Sequence, residues 1–547
     1  MKRIPMDIRK TIKKVPPRIW ILVAIVLVGL FLRTYRFHDW LDFGSDQVND
    51  AERVGAVVEQ TAPWPSYGPD MGNSGTGGRQ NRFRLGPIYY DFEIVSAKLF
   101  GNNPDSMAYP DLLFSVLSIP LLYLFLRKAF NENVSLALTG LSTISFSSLS
   151  FSHSAWNVNP IPFFSLLFLL SLYEFVLGAE KTPFRWVVAL GVALGVGIQL
   201  HAILLVLFPA TLFFTSLLFL RKRRASWKKL VAVIFIMILL NLGQLFGEMN
   251  NDFKNTRIFL ASATESSTAS DERLSIRIGN ELSCTFQADT YILSSVGPTD
   301  CDFSLMNAVK QRFDTETSGP IKNRRFLFET ILCVLFSVAG YGLLFSRFGK
   351  REHNPSRRRF FGLVALYSML SFFVMLPVLD APLRYFIHLS FLPFLFLGLI
   401  IEYPTSHSSP RRLVCISAVF IFLIWSNISS LTTEIREGFV RSRIILGQVE
   451  AMTEYMIAHR HFNDGIRLMN SHDSMDFLKP LQYVAEKRGV PLLKIGTKDD
   501  PATAKPEFYL DTGIFDGSTT TVRGESFDSY KTFGQTTIFH LIQQNSL

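Results

Sequence analysis

Charge is scarce in this chain of 547 residues: Asp, Glu, Lys and Arg make up 18%, where a soluble protein carries roughly a quarter. With long apolar runs, that shortage excludes a disordered chain and an ordinary soluble enzyme. Cysteine is scarcer. Four residues with no CxxC spacing exclude a disulfide scaffold and zinc-finger chemistry. The glycines Gly72, Gly75, Gly77 and Gly78 lack the GK[ST] ending of a phosphate loop. The carboxy-terminal segment holds no nucleophile elbow, Walker loop or dinucleotide fingerprint. Acidic residues are outnumbered 45 to 55, and the net charge of +10 suggests a nucleic-acid partner until its placement is read.

Apolar sequence is abundant: 48% hydrophobic residues, 50 of them Phe. A spanning helix needs roughly 17–25 mostly apolar residues. Candidate runs lie at 19–32, 108–126, 134–152, 160–178, 187–200, 202–220, 230–247, 327–346, 360–377, 385–401 and 413–430. The expected fold class is therefore a polytopic α-helical membrane protein with about eleven spans. No small-x-small cleavage site follows FLRTYRF, so the first run stays as an anchor. The stretch 187–219 is too long for one span and is divided at 199–201. Residues 87–100 carry Asp91, Glu93 and Lys98, costly across lipid, and read as an amphipathic helix in the interface with Pro87 at its start.

The positive-inside rule sets the orientation. With the amino terminus inside, the cytoplasmic pieces hold 25 of the 55 basic residues, while Arg384 is alone in the three short outer loops. The basic excess then reports topology and anionic lipid heads, with no nucleic acid required. The expected organisation is a basic tail at 1–18, a transmembrane module at 19–430 and an outer segment at 431–547. Outer loops at 34–107 and 249–325 interrupt the module. Chemistry belongs at the outer face, because almost no polypeptide remains inside. The outer segment reads as a helix at 444–461, a strand-like GIRLMNS, a helix near 476–488, then PLLKIG, EFYLDTG and QTTIFHLI. That is a small α/β domain, better suited to docking or stabilising than to catalysis. Cys284 and Cys301 share the middle loop, where a disulfide competes with two free thiols; Cys333 and Cys415 lie in spans.

Several residues could carry chemistry. Asp46 opens a helical pattern, four residues after Asp42, and reads either as a helix cap or, with Asp42, as a weak hint of a cation site. Arg384, with Arg82 and Arg84 behind it, is a candidate anion binder or a snorkelling side chain. His153 and His201 sit at outer ends of spans. Trp156, Asn157 and Asn159 begin a span, and Tyr89 and Tyr90 suit an interfacial belt.

The order of these features resembles the GT-C fold membrane glycosyltransferases, within the protein O-mannosyltransferase and lipid A aminoarabinose transferase-like superfamily. The residues are Asp46-Gln47, Gly86-Pro87-Ile88-Tyr89-Tyr90, Trp156-Asn157-Val158-Asn159-Pro160-Ile161-Pro162, Gln199-Leu200-His201 and Arg384-Tyr385. The likeness covers about the first 250 residues well and the rest in layout. It implies that Asp46 is the catalytic base, and that Gln47 and the other quoted polar and aromatic residues bind substrate. Commoner relatives carry Asp-Glu where this chain has Asp46-Gln47, which removes a second carboxylate; no cofactor is expected to be required, and a divalent cation is left open without support in the sequence. The implied partners are a polyprenyl-phosphate-linked sugar donor, membrane lipids, and an acceptor that is protein, lipid or glycan. The implied location is a bacterial plasma membrane, with the chemistry extracytoplasmic. Rival readings are a polysaccharide polymerase or ligase of similar layout, a lipid or sugar transporter, and a non-catalytic surface protein. Charges clustered at span ends and the absence of repeated halves speak against a carrier.

Overall fold

A computed structural model describes residues 16–71, 83–177, 183–219, 227–268, 274–296, 320–378, 383–402, 410–437, 444–495, 506–513, 519–522, 525–534 and 536–542. Among the described residues, five helices are long and apolar enough to cross a membrane: Pro17–Thr34 (α1), Pro104–Leu126, Phe328–Gly349, Pro355–Met375 and Leu413–Thr433. Two bent pairs bring the number to seven: Trp227–Leu240 with Leu242–Asn250 at 60°, and Leu383–Leu389 with Leu392–Glu402 at 58°. The chain is a multi-pass membrane protein. Three further expected runs form the shorter apolar helices Ile161–Val176, Phe184–Leu200 and Ala202–Leu218. The long 187–219 stretch divides at His201, whose backbone is extended (φ −159°, ψ 145°).

The remaining run, 134–152, departs from expectation. It forms Glu132–Thr143, breaks, and resumes as Phe146–Ser150. Ser145 Oγ donates to the carbonyl of Ile292 at 2.7 Å, and Asn427 Oδ1 accepts from the Phe146 N–H at 3.1 Å. Distant partners thus satisfy the groups that the break releases. The middle loop also differs from a plain loop, because Leu274–Ser294 is a 21-residue helix that packs on the bundle. Cys284 is buried on it, whereas Cys301 lies outside the described residues, as does the glycine-rich stretch 72–82.

The first outer segment folds as Ser45–Val58 (α2), the hairpin Asp70–Met71 (β1) with Phe83–Arg84 (β2), and Ile88–Phe100 (α3). Helix α3 is amphipathic with an unexpected polarity. Glu93 is buried against the protein, while Val95, Leu99 and Phe100 are exposed, a face suited to lipid. Gly86, just ahead of α3, approaches Gln199 so closely that a Cβ would lie 2.2 Å from its Oε1. Gln199 Oε1 accepts from the Ile88 N–H at 3.3 Å, and its Nε2 donates to the carbonyls of Gly195 and Leu240. Only glycine allows that docking.

The carboxy-terminal part is a six-stranded mixed sheet, ordered β4-β3-β5-β8-β7-β6. Its strands are Ile466–Asn470 (β3), Leu492–Lys494 (β4), Phe508–Thr512 (β5), Thr519–Val522 (β6), Glu525–Phe533 (β7) and Thr536–Leu541 (β8). Helices Leu446–His459 (α4) and Leu478–Lys487 (α5) pack together beside it. Apolar alternation explains the faces. Ile466, Leu468, Phe508, Leu510 and Ile538 join the main core, while Met469, Tyr509, Phe527 and Phe539 form a separate cluster.

Candidate active site

A cavity of about 430 Å³ lies where the first outer segment meets the bundle. Asp42, Asp46 and Gln47 line it beside Trp156, Asn159, Arg33 and Arg384. Asp46 stands in the first turn of α2, exposed, with its N-cap at Gly44. Gln47 Oε1 caps the same helix by accepting the Gly44 N–H at 3.1 Å, so its amide oxygen is occupied by structure.

The acid-bearing segment is held from both sides. The N–H of Asp42 donates to the carbonyl of His153 at 2.7 Å, and that of Phe43 to the carbonyl of Ile444 at 2.7 Å. Leu446 N–H returns a bond to the carbonyl of Leu41 at 2.8 Å. His153 therefore contributes its carbonyl at this point, while its buried ring packs 5.6 Å from Phe37.

Two cations face the cavity. Arg384 opens the tight helical turn Leu383–Leu389, and its guanidinium carbon lies 5.1 Å from the ring centre of Trp156 and 5.9 Å from that of Tyr385. Cation–π contact holds the side chain extended and leaves its N–H edge available. Arg33 was missed in the sequence, where it reads as an interfacial residue ending the first run. It is buried instead, donating from Nε to Ser115 Oγ at 2.8 Å and from Nη1 to the carbonyls of Gly29 and Thr143 at 3.2 Å. The available signal was an ionisable group at the edge of an apolar run, which in a membrane protein warrants a functional reading. Serines line much of the rest, among them Ser115, Ser118, Ser147 and Ser390, with Tyr291 from Leu274–Ser294. Asn159 Nδ2 donates to the Ser154 carbonyl at 2.7 Å, while its Oδ1 is buried with no partner among the described residues.

Tyr89, Tyr90, Asn157 and His201 do not line the cavity. Tyr89 OH donates to Asp111 Oδ2 at 2.8 Å, and the same oxygen accepts the Trp156 N–H at 3.0 Å. Tyr90 OH donates to Asp50 Oδ1 at 2.6 Å and accepts from Arg53 at 2.9 Å. Both tyrosines are buried, so they tie helices together and are neither belt aromatics nor stacking platforms. Burial pushes the Asp50 carboxyl up to about 7, against the Tyr90 hydrogen bond and Arg53, with Asp46 and Asp70 adding to the rise. Burial likewise raises Glu93 well above the carboxylate range. Asn157 Nδ2 donates to the Leu200 carbonyl at 2.7 Å. His201 Nδ1 accepts from the Ile203 N–H at 3.3 Å, and its ring meets Tyr385 edge-on at 5.0 Å. Arg84 pairs with Asp70 at 2.9 Å on the β1–β2 hairpin, away from the cavity. Arg82 lies outside the described residues.

Chemically, one wall offers carboxylates able to take a proton, and the same enclosure offers two guanidiniums able to hold an anion. Residues 87–242 match the family described as dolichyl-phosphate-mannose-protein mannosyltransferase. No curated protein matches the chain. Among solved structures, the aminoarabinose transferase ArnT of Cupriavidus metallidurans bound to undecaprenyl phosphate superposes with a TM-score of 0.53 at 11% identity, over 96% of this chain and 98% of that one. An oligosaccharyltransferase of Archaeoglobus fulgidus gives 0.49 at 11% identity, over 90% of this chain and 68% of that one. The ArnT superposition extends over the membrane helices, the outer segments and the terminal sheet alike; the chain has the GT-C fold of membrane glycosyltransferases, completed by a small carboxy-terminal α/β region.

Proposed function

We propose that this protein is an inverting glycosyltransferase that moves a sugar from a polyprenyl-phosphate donor to an acceptor hydroxyl at the extracytoplasmic face of a bacterial plasma membrane. The observation that carries the reading is the single cavity shared by Asp46, Arg33 and Arg384. Asp46 takes the acceptor hydroxyl proton, and the freed oxygen attacks the anomeric carbon. The bond from that carbon to the phosphate oxygen breaks, its electron pair leaves with the polyprenyl phosphate, and the configuration inverts. Arg384 and Arg33 stabilise the charge that grows on the leaving phosphate. Serine hydroxyls and the unpartnered Asn159 Oδ1 suit a hydroxyl-bearing sugar. A lipid-phosphate donor is supported by the undecaprenyl phosphate bound to the similarly folded aminoarabinose transferase, and the extracytoplasmic face by basic residues concentrated in the loops read as cytoplasmic.

The test is transfer of labelled hexose from polyprenyl phosphate to acceptors in a membrane extract, with purified protein and its Asp46→Asn variant. The variant is expected to lose at least about 10³-fold in rate, the upper part of the range for general-base catalysis, while retaining labelled donor. Full activity in the variant removes Asp46 from the role. No turnover with any polyprenyl-phosphate hexose, in folded protein that retains none of them, favours a carrier or a ligase.

A further inference from the structure

The terminal sheet carries a polar cluster that the cavity chemistry does not use. His461 follows α4, Glu507 leads into β5 and His540 lies on β8, and their nitrogen and oxygen ligand atoms fall within 4.8 Å of one another. Glu507 is 2% exposed. Its Oε1 accepts the backbone N–H of His461 and lies 2.9 Å from His461 Nδ1. Its Oε2 is buried with no partner among the described residues. A half-satisfied buried carboxylate is costly, and an ion pair with the His461 ring alone leaves that second oxygen unanswered.

The histidines are arranged as ligands would be. Their rings stand 5.3 Å apart and 69° to each other, so they converge without stacking. His540 Nε2 lies 3.3 Å from the carbonyl of His459, and Phe508 meets the His540 ring edge-on at 4.9 Å. A ring nitrogen that donates to a carbonyl leaves the other as a lone-pair donor, the usual outer support of a metal-bound imidazole. The His461 side chain is 55% exposed, so it can close the remaining distance.

We propose that His461, Glu507 and His540 form a divalent transition-metal site of the zinc class, with a fourth position open to water. Two imidazoles and one carboxylate suit that class, whereas calcium and magnesium select all-oxygen ligand sets. The site joins the end of α4 to β5 and β8, stapling the last strand of the sheet to the helix that abuts the Asp42 segment. None of the three residues lines the cavity, and the site is independent of the sugar chemistry proposed above.

The experiment uses the full-length chain in detergent, its purification tag removed, stripped with chelator and titrated with Co²⁺, followed by competition with Zn²⁺. Wild type is expected to bind one Co²⁺ per chain with the visible absorbance of a four-coordinate N/O site. His461→Ala, which removes an exposed side chain, is expected to weaken binding at least tenfold, and Glu507→Gln to do the same while keeping the buried shape. Saturating Zn²⁺ is expected to raise the unfolding temperature of wild type and to leave that of His461→Ala unchanged. Equal loading of wild type and His461→Ala overturns the site, as does an absence of loading in both.

Discussion

Arg384 and Trp156 come from segments more than two hundred residues apart, yet the guanidinium lies over the indole at 5.1 Å. That contact fixes where a positive charge sits in the cavity. Arg384→Ala removes it and is expected to lower kcat/KM by about 10²-fold, in the range for deleting one preorganised charge donor. Arg384→Lys keeps the charge but loses the planar fork and the stacking, so it should recover only part of the rate. A titration of donor against initial rate separates the two, and wild-type kcat/KM in the alanine variant excludes the role. Residues of this kind were half legible in the sequence. Arg384 stood out as a charge at the outer end of a span, and Asp46 as the acid of the first outer loop that the family resemblance marks as the base. Arg33 is also a charge at a span end, but sequence cannot say that its side chain turns inward to Ser115 and the Thr143 carbonyl. Tyr89 and Tyr90 were equally ambiguous. Their hydroxyls seek Asp111 and Asp50, residues whose proximity only the folded chain creates.

Helix α2 carries Asp46 one turn from Asp50, and the buried Asp50–Tyr90 bond sets where that turn points. The Asp50 carboxyl is pushed up to about 7, chiefly by burial. Its raised value means that protonated Asp50 favours the folded state. That stability is fully present below pH 4 and is lost as pH rises through about 7, a total of roughly 4 kcal/mol for a shift of this size. Asp50→Asn keeps an oxygen to accept from Tyr90 and removes the titration. The unfolding temperature of wild type, compared with the variant at each pH, should fall between pH 4 and 7 and run parallel above it; parallel curves throughout would show that Asp50 does not titrate in this window. Elements with strong periodicity were legible: α1, α2, α3, the division at His201, and β3, β4, β5 and β8. The break at Ser145 was not, because its partners Ile292 and Asn427 are far along the chain. Strands β6 and β7 were missed as well. Their polar residues, TTTV and ESFDSYKTF, carry little apolar alternation, and pairing with β8 forms the strands.

At the scale of the molecule, the terminal sheet and its helices sit on the segment that holds the carboxylates. Backbone bonds join Phe43 to Ile444 and Leu446 to Leu41, Tyr483 meets Phe43 edge-on at 5.3 Å, and Lys479 and Lys487 pair with Glu52 and Glu59 of α2. The exposed ion pairs contribute little individually. The close approach of Gly447 to Asp39 is more decisive, since a Cβ there would lie 3.0 Å from the Asp39 Cα and carbonyl oxygen. A branched side chain has no room between two backbones, so Gly447→Val must push α4 away from residues 39–43. The membrane helices do not depend on that contact and should remain folded. Displacement of a catalytic base by about 1 Å can cost on the order of 10²-fold in rate. Gly447→Val is therefore expected to lower kcat by about that factor, with donor KM nearly unchanged because Arg33 and Arg384 belong to the bundle side of the cavity. Limited proteolysis should cut the variant faster between the last membrane helix and α4. Wild-type kcat alongside faster proteolysis would show that the terminal region sits on the acid-bearing segment without positioning it.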